Sequence, residues 1–386
     1  MTFEVSPGEL SDALWEMWED LRPIGRDDRT GGYRRFAWTP EDRAARDWFR
    51  AQAHRRGLDV TTDRNGNLWA WHGDPDAGVP GVVTGSHLDS VPDGGAYDGP
   101  LGIVSAFAAL DLLRGRPLAP RRPLGIVAFT EEEGARFGVA CLGSRLLTGA
   151  LDPERARALT DTTGTSYADA LTDAGIDPLG IGRDEDLLRR IGVFVELHIE
   201  QGRALADLDA PVGLADAIWP HGRWRCEFTG RADHAGTTRM EDRADPMPTY
   251  ADTVLTARRE ARCRQSRATF GRLVVEPGGT NAIPSRVVAW LDARAPSPQV
   301  LDDLVTAVSE AARRRAARDG TVVEIHEESR TSAVRFDADL LQRLGERLGE
   351  LLGRPPVLPT AAGHDAGILA TAGIPTAMLF VRNPTG

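Results

Sequence analysis

The 386-residue chain has 41% hydrophobic and 27% charged residues, an ordinary composition for a globular protein that is long enough for two domains. Its formal net charge of −11 and the lack of a basic tract argue against a nucleic-acid partner. The 3 cysteines lie far apart, which argues against a disulfide framework or a thiolate zinc site. Any metal ion would therefore be held by histidine and carboxylate side chains.

The sequence also argues against a membrane protein. It contains no run of about 18 apolar residues, and its first residues carry acids rather than a basic, apolar leader. We therefore expect neither a membrane span nor a signal peptide, and we expect a cytoplasmic location.

Two helices and a hairpin are predicted at the start of the chain. The first helix, residues 1–22, places apolar side chains at helical spacing. Thr39 and Pro40 are typical of an N-cap and a first helical residue, so a second helix is predicted to run to about residue 56. Residues 63–67, with the sequence Asp-Arg-Asn-Gly-Asn, predict a turn between two short strands.

The next strand leads into a segment rich in chemically active side chains. Residues 79–84 form an apolar run typical of a buried parallel strand, and they are followed by GSHLDSVPDGGAYDG. His87, Asp89 and Asp98 therefore lie past the carboxyl end of a strand, where ligands gather in open α/β sheets. The intervening glycines and proline permit a tight fold that brings Asp98 back towards His87.

Two further apolar strands end in the same way. The strand predicted at 124–130 ends in a run of three glutamates at 131–133. The strand predicted at 191–195 is followed closely by His198. Since parallel strands place their carboxyl ends at one edge of a sheet, we predict a single site at this edge.

From about residue 213 the pattern of the strands changes from buried to alternating. The elements that follow have the order strand, helix, strand, strand, helix, strand, which is typical of a ferredoxin-like domain. They are predicted at 223–229, 248–264, 272–276, 286–293, 300–318 and 321–327. We therefore predict an α/β catalytic domain formed by residues 1–212 and 329–386, in which a mixed, largely parallel sheet is flanked by helices. A ferredoxin-like α+β domain is inserted at 213–328.

Imidazoles and carboxylates bind first-row divalent metals well, and a shared carboxylate is a usual way to hold two ions. His87, Asp98, Glu133 and His198 are therefore the candidate metal ligands. Asp89, two residues after His87, could accept a hydrogen bond from the other ring nitrogen and fix its tautomer. Each histidine alone could equally be a core or loop residue, but their occurrence together at the strand ends favours a metal site.

Composition alone does not distinguish the roles of the three adjacent glutamates. A general base is plausible at Glu132, because water in a metal site needs a group that takes its proton. We expect Glu131 to lie in a solvated acidic loop. The loops around His234 and Asn281 are polar and contain glycine, which by itself indicates ordinary turns.

Taken together, several segments resemble one family of enzymes. They read GSHLDSVPDGGAYDG, TEEEGARFG, ELHIEQG, GRADHAGTT, GGTNAIPS and AGHDAG, in that order and over nearly the whole chain. This pattern is similar to that of the metal-dependent amidohydrolases grouped with the aminoacylases and carboxypeptidase-type metallopeptidases. Within that superfamily it most resembles the N-carbamoyl-L-amino acid hydrolases, allantoate amidohydrolases and β-ureidopropionases.

The resemblance implies two divalent metal ions, Zn or Mn, with Ni and Co as alternatives. It implies that His87 and His198 ligate one ion, that Asp98 bridges, that Glu133 ligates the other ion and that Glu132 is the acid/base. Substrate-binding residues are implied at Gln201, His234, Asn281, Arg294 and His364. Arg294 would bind the substrate carboxylate, and His234 would also help to stabilise the oxyanion. The inserted domain is implied to act as a lid and to form a homodimer through residues 213–328.

One segment of the family pattern is not found. Relatives continue past the last strand with a segment resembling G-x-S-H-x-P-x-E, whose histidine completes the second metal site, whereas this sequence ends at Gly386. We therefore expect a second site held only by Asp98 and Glu133. A catalytically impaired or silent homologue is accordingly an alternative hypothesis.

The sequence thus predicts hydrolysis of a linear ureido C–N bond in a small carboxylic acid, with release of ammonia and CO2. Allantoate is slightly favoured over an N-carbamoyl-L-amino acid, although Gln201, Asn281 and Arg294 suit either substrate. A dipeptidase or aminoacylase is less favoured, because those relatives usually carry an acid in place of His198. A purely structural metal is least favoured, because such sites are usually closed and commonly use thiolates.

Overall fold

The computed structural model describes residues 7–116 and 120–385 of the chain. Its helices are α1 Pro7–Leu21, α2 Pro40–Arg55, α3 Pro100–Arg114, α4 Leu142–Thr148, α5 Pro153–Arg157, α6 Tyr167–Asp173, α7 Glu185–Arg190, α8 Ala204–Asp207, α9 Pro246–Cys263, α10 Pro298–Asp319, α11 Ala338–Leu352 and α12 Asp365–Thr371. Its strands are β1 Asp59–Thr62, β2 Leu68–His72, β3 Gly81–His87, β4 Leu124–Phe129, β5 Ile191–Ile199, β6 Val212–Ile218, β7 His221–Thr229, β8 Asp233–His234, β9 Arg267–Glu276, β10 Ala282–Ile283, β11 Arg286–Arg294, β12 Val322–Thr331, β13 Val334–Arg335, β14 Val357–Thr360 and β15 Thr376–Val381.

The elements predicted at the start of the chain are confirmed where the structure describes them. Helix α2 begins at Pro40, and the side chain of Thr39 accepts a hydrogen bond from the N–H of Asp42, as expected of an N-cap. The predicted turn separates β1 from β2, and Oδ1 of Asp63 accepts from the N–H of Asn67 at 2.9 Å. Residues 1–6 of the first predicted helix lie outside the described residues, and α1 covers most of the rest.

The chain forms two compact units. Unit 1 comprises Met1–Asp216, Arg335–Leu358 and Gly363–Gly386, and unit 2 comprises Ala217–Val334 and Pro359–Ala362. The boundaries predicted for the inserted domain, 213 and 328, lie a few residues before those of the main segment of unit 2. No helix among the described residues is long and apolar enough to cross a lipid bilayer.

In the described part of the chain, the large sheet has nine strands in the order β1-β2-β4-β3-β5-β15-β6-β13, and β14 also pairs with β6. Strands β4, β3, β5 and β15 are parallel neighbours, whereas β2 and β6 pair antiparallel at either side of them. Helix α3 contributes Ile103 and Phe107 to a core that also contains Leu68 and Ile126 of the sheet. This architecture confirms the α/β prediction, with the parallel part confined to the centre of the sheet.

Two of the central strands are longer than predicted. Strand β3 continues to His87, which pairs with Phe129 of β4, and β5 continues to Ile199. His198 pairs in register with Phe380 of β15. Because both histidines lie within paired strands rather than in loops, the sheet fixes the positions of their backbones.

Unit 2 has the predicted ferredoxin-like order of elements. Its antiparallel sheet has the strand order β12-β7-β11-β9. Helices α9 and α10 supply Ala257 and Leu304 to a core shared with Phe228 and Val287 of the sheet. The short strands β8 and β10 form a separate antiparallel pair.

Candidate metal centre

His87 lies in a closely fitted position at the end of β3. Its imidazole is 1% exposed. Gly99, with φ of 85°, precedes α3, and a Cβ at this position would lie 2.4 Å from the His87 ring. The glycine is therefore required both by the backbone conformation and by the space that the imidazole occupies.

The two buried histidines are held in the same way. Nδ1 of His87 lies 3.1 Å from the carbonyl oxygen of Asp89, and Nδ1 of His198 lies 2.9 Å from that of Ile199. A carbonyl oxygen can only accept, so we assign the proton of each neutral ring to Nδ1. The lone pairs of both rings are thus on Nε2.

These two Nε2 atoms face each other at 3.5 Å. Oδ1 of Asp98 lies 3.4 Å from Nε2 of His198. Neither neutral ring can donate to the other, so the arrangement calls for a positive charge between them. The side chains of His87, Asp98 and His198 therefore fit a divalent cation, with ligand atoms within 4.8 Å of one another.

The surroundings of the two rings act on their pKa values in opposite directions. Burial opposes protonation of His87, but the nearby carboxylates, Glu132 foremost, outweigh it and raise its pKa well above the ordinary value. Burial lowers the pKa of His198.

Asp89 joins the strand of His87 to the glutamate loop. Its carboxylate is buried, with Oδ1 accepting from the N–H of Glu132 at 3.1 Å and Oδ2 from that of Glu133 at 3.0 Å. Its nearest carboxylate oxygen lies 3.5 Å from Nδ1 of His87, farther than its own carbonyl oxygen. Asp89 thus contacts Nδ1 of His87 through its carbonyl oxygen and, at the longer distance, through its carboxylate, which also binds the glutamate loop. Its role in fixing the tautomer of His87 stays a prediction.

The prediction that Glu131 lies in a solvated loop is wrong. The residue is fully buried, has φ of 53°, and Oε1 accepts from the N–H groups of Arg136 and Phe137 at 3.0 and 2.8 Å. Burial, with a contribution from Asp89, raises the pKa of Glu131 to about 8. Its carboxyl group accepts hydrogen bonds from backbone N–H groups of the turn that follows β4. The run of three acids in the sequence did not predict this role.

The side chains of the other two glutamates lie near His87. Oε2 of Glu132 lies 3.8 Å from Nε2 of His87. Burial raises the pKa of Glu132 well above its usual value and that of Glu133 to about 7. Oε1 of Glu133 is buried and has no hydrogen-bond partner among the described residues. His87, Glu132 and Glu133 thus form a second group that could hold a cation, with ligand atoms within 4.8 Å of one another.

Glu196 is a buried member of the site that the sequence analysis missed. Its carboxylate accepts from Oγ of Ser86 at 2.8 Å and from the N–H of Ala366 at 3.1 Å. Glu196 and His198 are two residues apart on β5, so both project to the same face. Side chains alternate between the two faces of a strand, so extending this alternation from His198 along β5 could have identified Glu196 as a member of the site.

The remaining predicted residues of unit 1 lie near the same cluster. His364 is buried, and its ring centroid lies 4.6 Å from that of His198 in an edge-on arrangement. Gln201 is exposed, and its Nε2 lies 3.1 Å from both carboxylate oxygens of Asp98. The structure therefore brings together His87, Asp89, Asp98, Glu132, Glu133, His198, Gln201 and His364.

The three predicted residues of unit 2 lie in two places within that unit. His234 and Asn281 are neighbours, because β8 pairs with β10 and the N–H of Ala235 donates to the carbonyl of Asn281 at 3.0 Å. Both side chains are exposed. Arg294 makes a two-pronged contact with Asp292, at 2.7 and 3.1 Å, the geometry in which a guanidinium binds a carboxylate.

Comparison with known proteins agrees with this geometry. The sequence model of peptidase family M20/M25/M40 matches residues 83–386. The chain belongs to this family. M20/M25/M40 enzymes are metal-dependent hydrolases, which accounts for the buried histidines and carboxylates at the strand ends.

Individual relatives cover nearly the whole chain. It is 36% identical over 383 residues to the N-carbamoyl-L-amino acid amidohydrolase of Geobacillus stearothermophilus, covering 97% of this chain and 91% of the relative. It is 30% identical over 365 residues to the allantoate amidohydrolase of Escherichia coli strain K12, covering 93% and 87%. A solved hydantoinase/carbamoylase family amidase from Burkholderia ambifaria superposes with a TM-score of 0.81 at 32% identity, covering 99% and 92%. This member of the M20/M25/M40 family is therefore a metal-dependent amidohydrolase.

Proposed function

We propose that this amidohydrolase hydrolyses the carbamoyl group of an N-carbamoyl-L-amino acid, forming the free amino acid, ammonia and CO2. The observation that carries the proposal is the buried cluster in which Oε2 of Glu132 lies 3.8 Å from Nε2 of His87, which in turn lies 3.5 Å from Nε2 of His198. The choice of substrate is supported by the relatives of that name, one at 36% identity, against 30% for the allantoate amidohydrolase.

We assign the metal ligands as the resemblance implies. His87 and His198 would hold one ion, Asp98 would bridge, and Glu133 would ligate the second ion. Zn and Mn suit this imidazole and carboxylate donor set, as do Ni and Co. Bound divalent ions supply a Lewis acid for the carbonyl and lower the pKa of water.

Glu132 performs the proton transfers. Its Oε2 lies near Nε2 of His87 in a buried position, where it takes a proton from the attacking water and passes it to the leaving nitrogen. The water oxygen bonds to the carbamoyl carbon, and the bond from that carbon to the amino-acid nitrogen breaks. The carbamic acid that remains decomposes to ammonia and CO2.

The remaining predicted residues bind substrate. Nδ1 of His234 accepts from the N–H of Gly236 at 3.0 Å, which places the ring proton on Nε2, where it can donate to an oxyanion. Arg294 binds the substrate carboxylate in place of Asp292, and Gln201, Asn281 and His364 complete recognition. The family resemblance implies that residues 213–328 act as a lid and form the contacts of a homodimer. The outer strands β9 and β12 of unit 2 offer sheet edges that a second copy could pair with.

Allantoate is the second candidate substrate. It contains the same ureido and carboxylate groups, and the Escherichia coli relative that acts on it covers 93% of this chain. The contacts assigned to Gln201, Asn281 and Arg294 would serve both substrates.

The test is ammonia release by the 386-residue chain reconstituted with Zn, Mn, Ni or Co, with bound metal counted in parallel. The substrates are a panel of N-carbamoyl-L-amino acids, allantoate, a dipeptide and an N-acyl amino acid. Turnover confined to the N-carbamoyl compounds supports the proposal, and preferred turnover of allantoate replaces it with the second candidate. Metal-loaded protein that is inactive on both, or active only on the dipeptide or acyl compound, overturns it.

A further inference from the structure

We propose that Cys141 is a positioning residue for Glu132, holding one carboxylate oxygen so that the other faces the metal ligands. The inference rests on the proposed function, in which Glu132 transfers the proton. Sγ of Cys141 lies 3.6 Å from Oε1 of Glu132, and the thiol is the donor of this contact. Cys141 is 2% exposed.

Cys141 also contacts the main chain of Glu132. Its N–H donates to the carbonyl oxygen of Glu132 at 2.6 Å, while the N–H of Glu132 donates to Asp89 at 3.1 Å. The glutamate backbone is therefore fixed on both sides. What remains free is the rotation of the side chain, and the thiol contact acts on that rotation.

The two carboxylate oxygens of Glu132 have different neighbours. Oε1 accepts from Cys141, and Oε2 lies 3.8 Å from Nε2 of His87. The terminal torsion of a glutamate is soft and roughly two-fold, so packing alone defines it poorly. A donor on one oxygen selects the orientation that leaves the other oxygen available for proton transfer.

The backbone of Cys141 supports a role for its side chain. The residue precedes α4 with φ of 55° and ψ of 38°, a left-handed conformation that side chains other than asparagine and aspartate adopt rarely. Its side chain makes no capping hydrogen bond to α4. The cysteine therefore does nothing for the helix that glycine would not do better, and its thiol is directed to Glu132 instead.

A thiol suits this position chemically. Burial, with a contribution from Glu132, raises the pKa of Cys141 well above its ordinary value, so the group remains a hydrogen-bond donor. A thiol is a weaker donor than a hydroxyl. It orients the carboxylate while leaving more of its basicity for the reaction.

The first test compares Cys141→Ala and Cys141→Ser with a matched control, Cys226→Ala, which removes a buried free thiol from unit 2. We expect Cys141→Ala to lower kcat about fivefold, the size of one hydrogen bond, with KM and metal content unchanged. Cys141→Ser should recover part of the loss, because its hydroxyl donates but is shorter. An unchanged kcat in Cys141→Ala, or an equal loss in Cys226→Ala, overturns the inference.

The second test does not depend on activity. With Cys226→Ser and Cys263→Ser in place, Cys141 is the remaining thiol, and its S–H stretching band can be followed by infrared spectroscopy. Glu132→Ala should move this band to higher frequency, because the hydrogen bond is lost. An unmoved band overturns the inference and leaves the proposed function standing. Undiminished turnover in Glu132→Gln instead overturns the role of Glu132 itself.

Discussion

The cluster around His87 in unit 1 and the pair formed by His234 and Asn281 in unit 2 use similar side chains under opposite conditions. His87 and His198 are each 1% exposed, and a backbone carbonyl fixes each ring. His234 and Asn281 are exposed, and the His234 side chain accepts a hydrogen bond from the N–H of Gly236, two residues away. Burial strengthens every electrostatic interaction, whereas solvent screens it.

The difference in burial indicates different roles for the two groups of side chains. Charged groups that are buried together, such as Glu132 and Glu133, have raised pKa values and gain when a cation compensates them. Exposed groups are solvated, so they do not have this desolvation cost and remain accessible to a substrate. Substitutions in the buried cluster should therefore change metal binding or proton transfer. Substitutions in the exposed pair should change substrate binding or turnover without changing metal binding.

The largest effect is expected for Glu132→Gln. The amide has the shape of the acid but cannot take the proton, so turnover should fall about 1,000-fold, while bound metal remains. Ammonia release and metal analysis of the same sample measure both. Glu131→Gln is the matched control, because its amide oxygen can still accept from Arg136 and Phe137. Loss of metal in Glu132→Gln would instead mean that Glu132 is a ligand.

His234→Ala should have the next largest effect. Removing a donor to the oxyanion should lower kcat about 100-fold, and metal content should not change because the residue belongs to unit 2. Steady-state kinetics on the metal-loaded enzyme measure this. A rate equal to that of the parent enzyme would remove His234 from the oxyanion role.

Asp89→Asn should weaken metal binding about tenfold, the low end for a group that orients ligands. Its amide offers one acceptor where the carboxylate serves the N–H groups of both Glu132 and Glu133. Competition with a chelator measures the dissociation constant. An unaltered constant would show that the loop holds Glu133 without this support.

The smallest effect is expected for Gln201→Ala. This side chain is exposed, and it contacts Asp98 at 3.1 Å through a single nitrogen. We expect KM to rise about fivefold, the worth of one hydrogen bond, with metal content unchanged. A loss of metal would show that Gln201 mainly orients Asp98 rather than binding substrate.

The exposed pair, His234 and Asn281, shows how little the local sequence pattern predicts about function. His234 and Asn281 stand in glycine-bearing loops that predict turns and nothing more, and the family resemblance alone suggested a role. The structure shows them as neighbours through the pairing of β8 with β10. The assignment to substrate binding stays a prediction, since these contacts lie within unit 2.

The sequence by itself predicted the strands that lead into the site and the order of elements in the inserted domain, and it proposed His87, Asp98, Glu133 and His198 as metal ligands. It could do so because apolar runs and turn residues are local signals, and because parallel strands share a carboxyl edge. The tertiary structure alone decided the burial of Glu131, the contacts of the Asp89 carboxylate and the contact of Cys141 with Glu132. These depend on which strands are neighbours: β3 lies beside β4, so Asp89 meets a loop more than 40 residues away in sequence. A local sequence pattern cannot predict a contact between residues so far apart in sequence, because the packing of the whole sheet decides which strands pair.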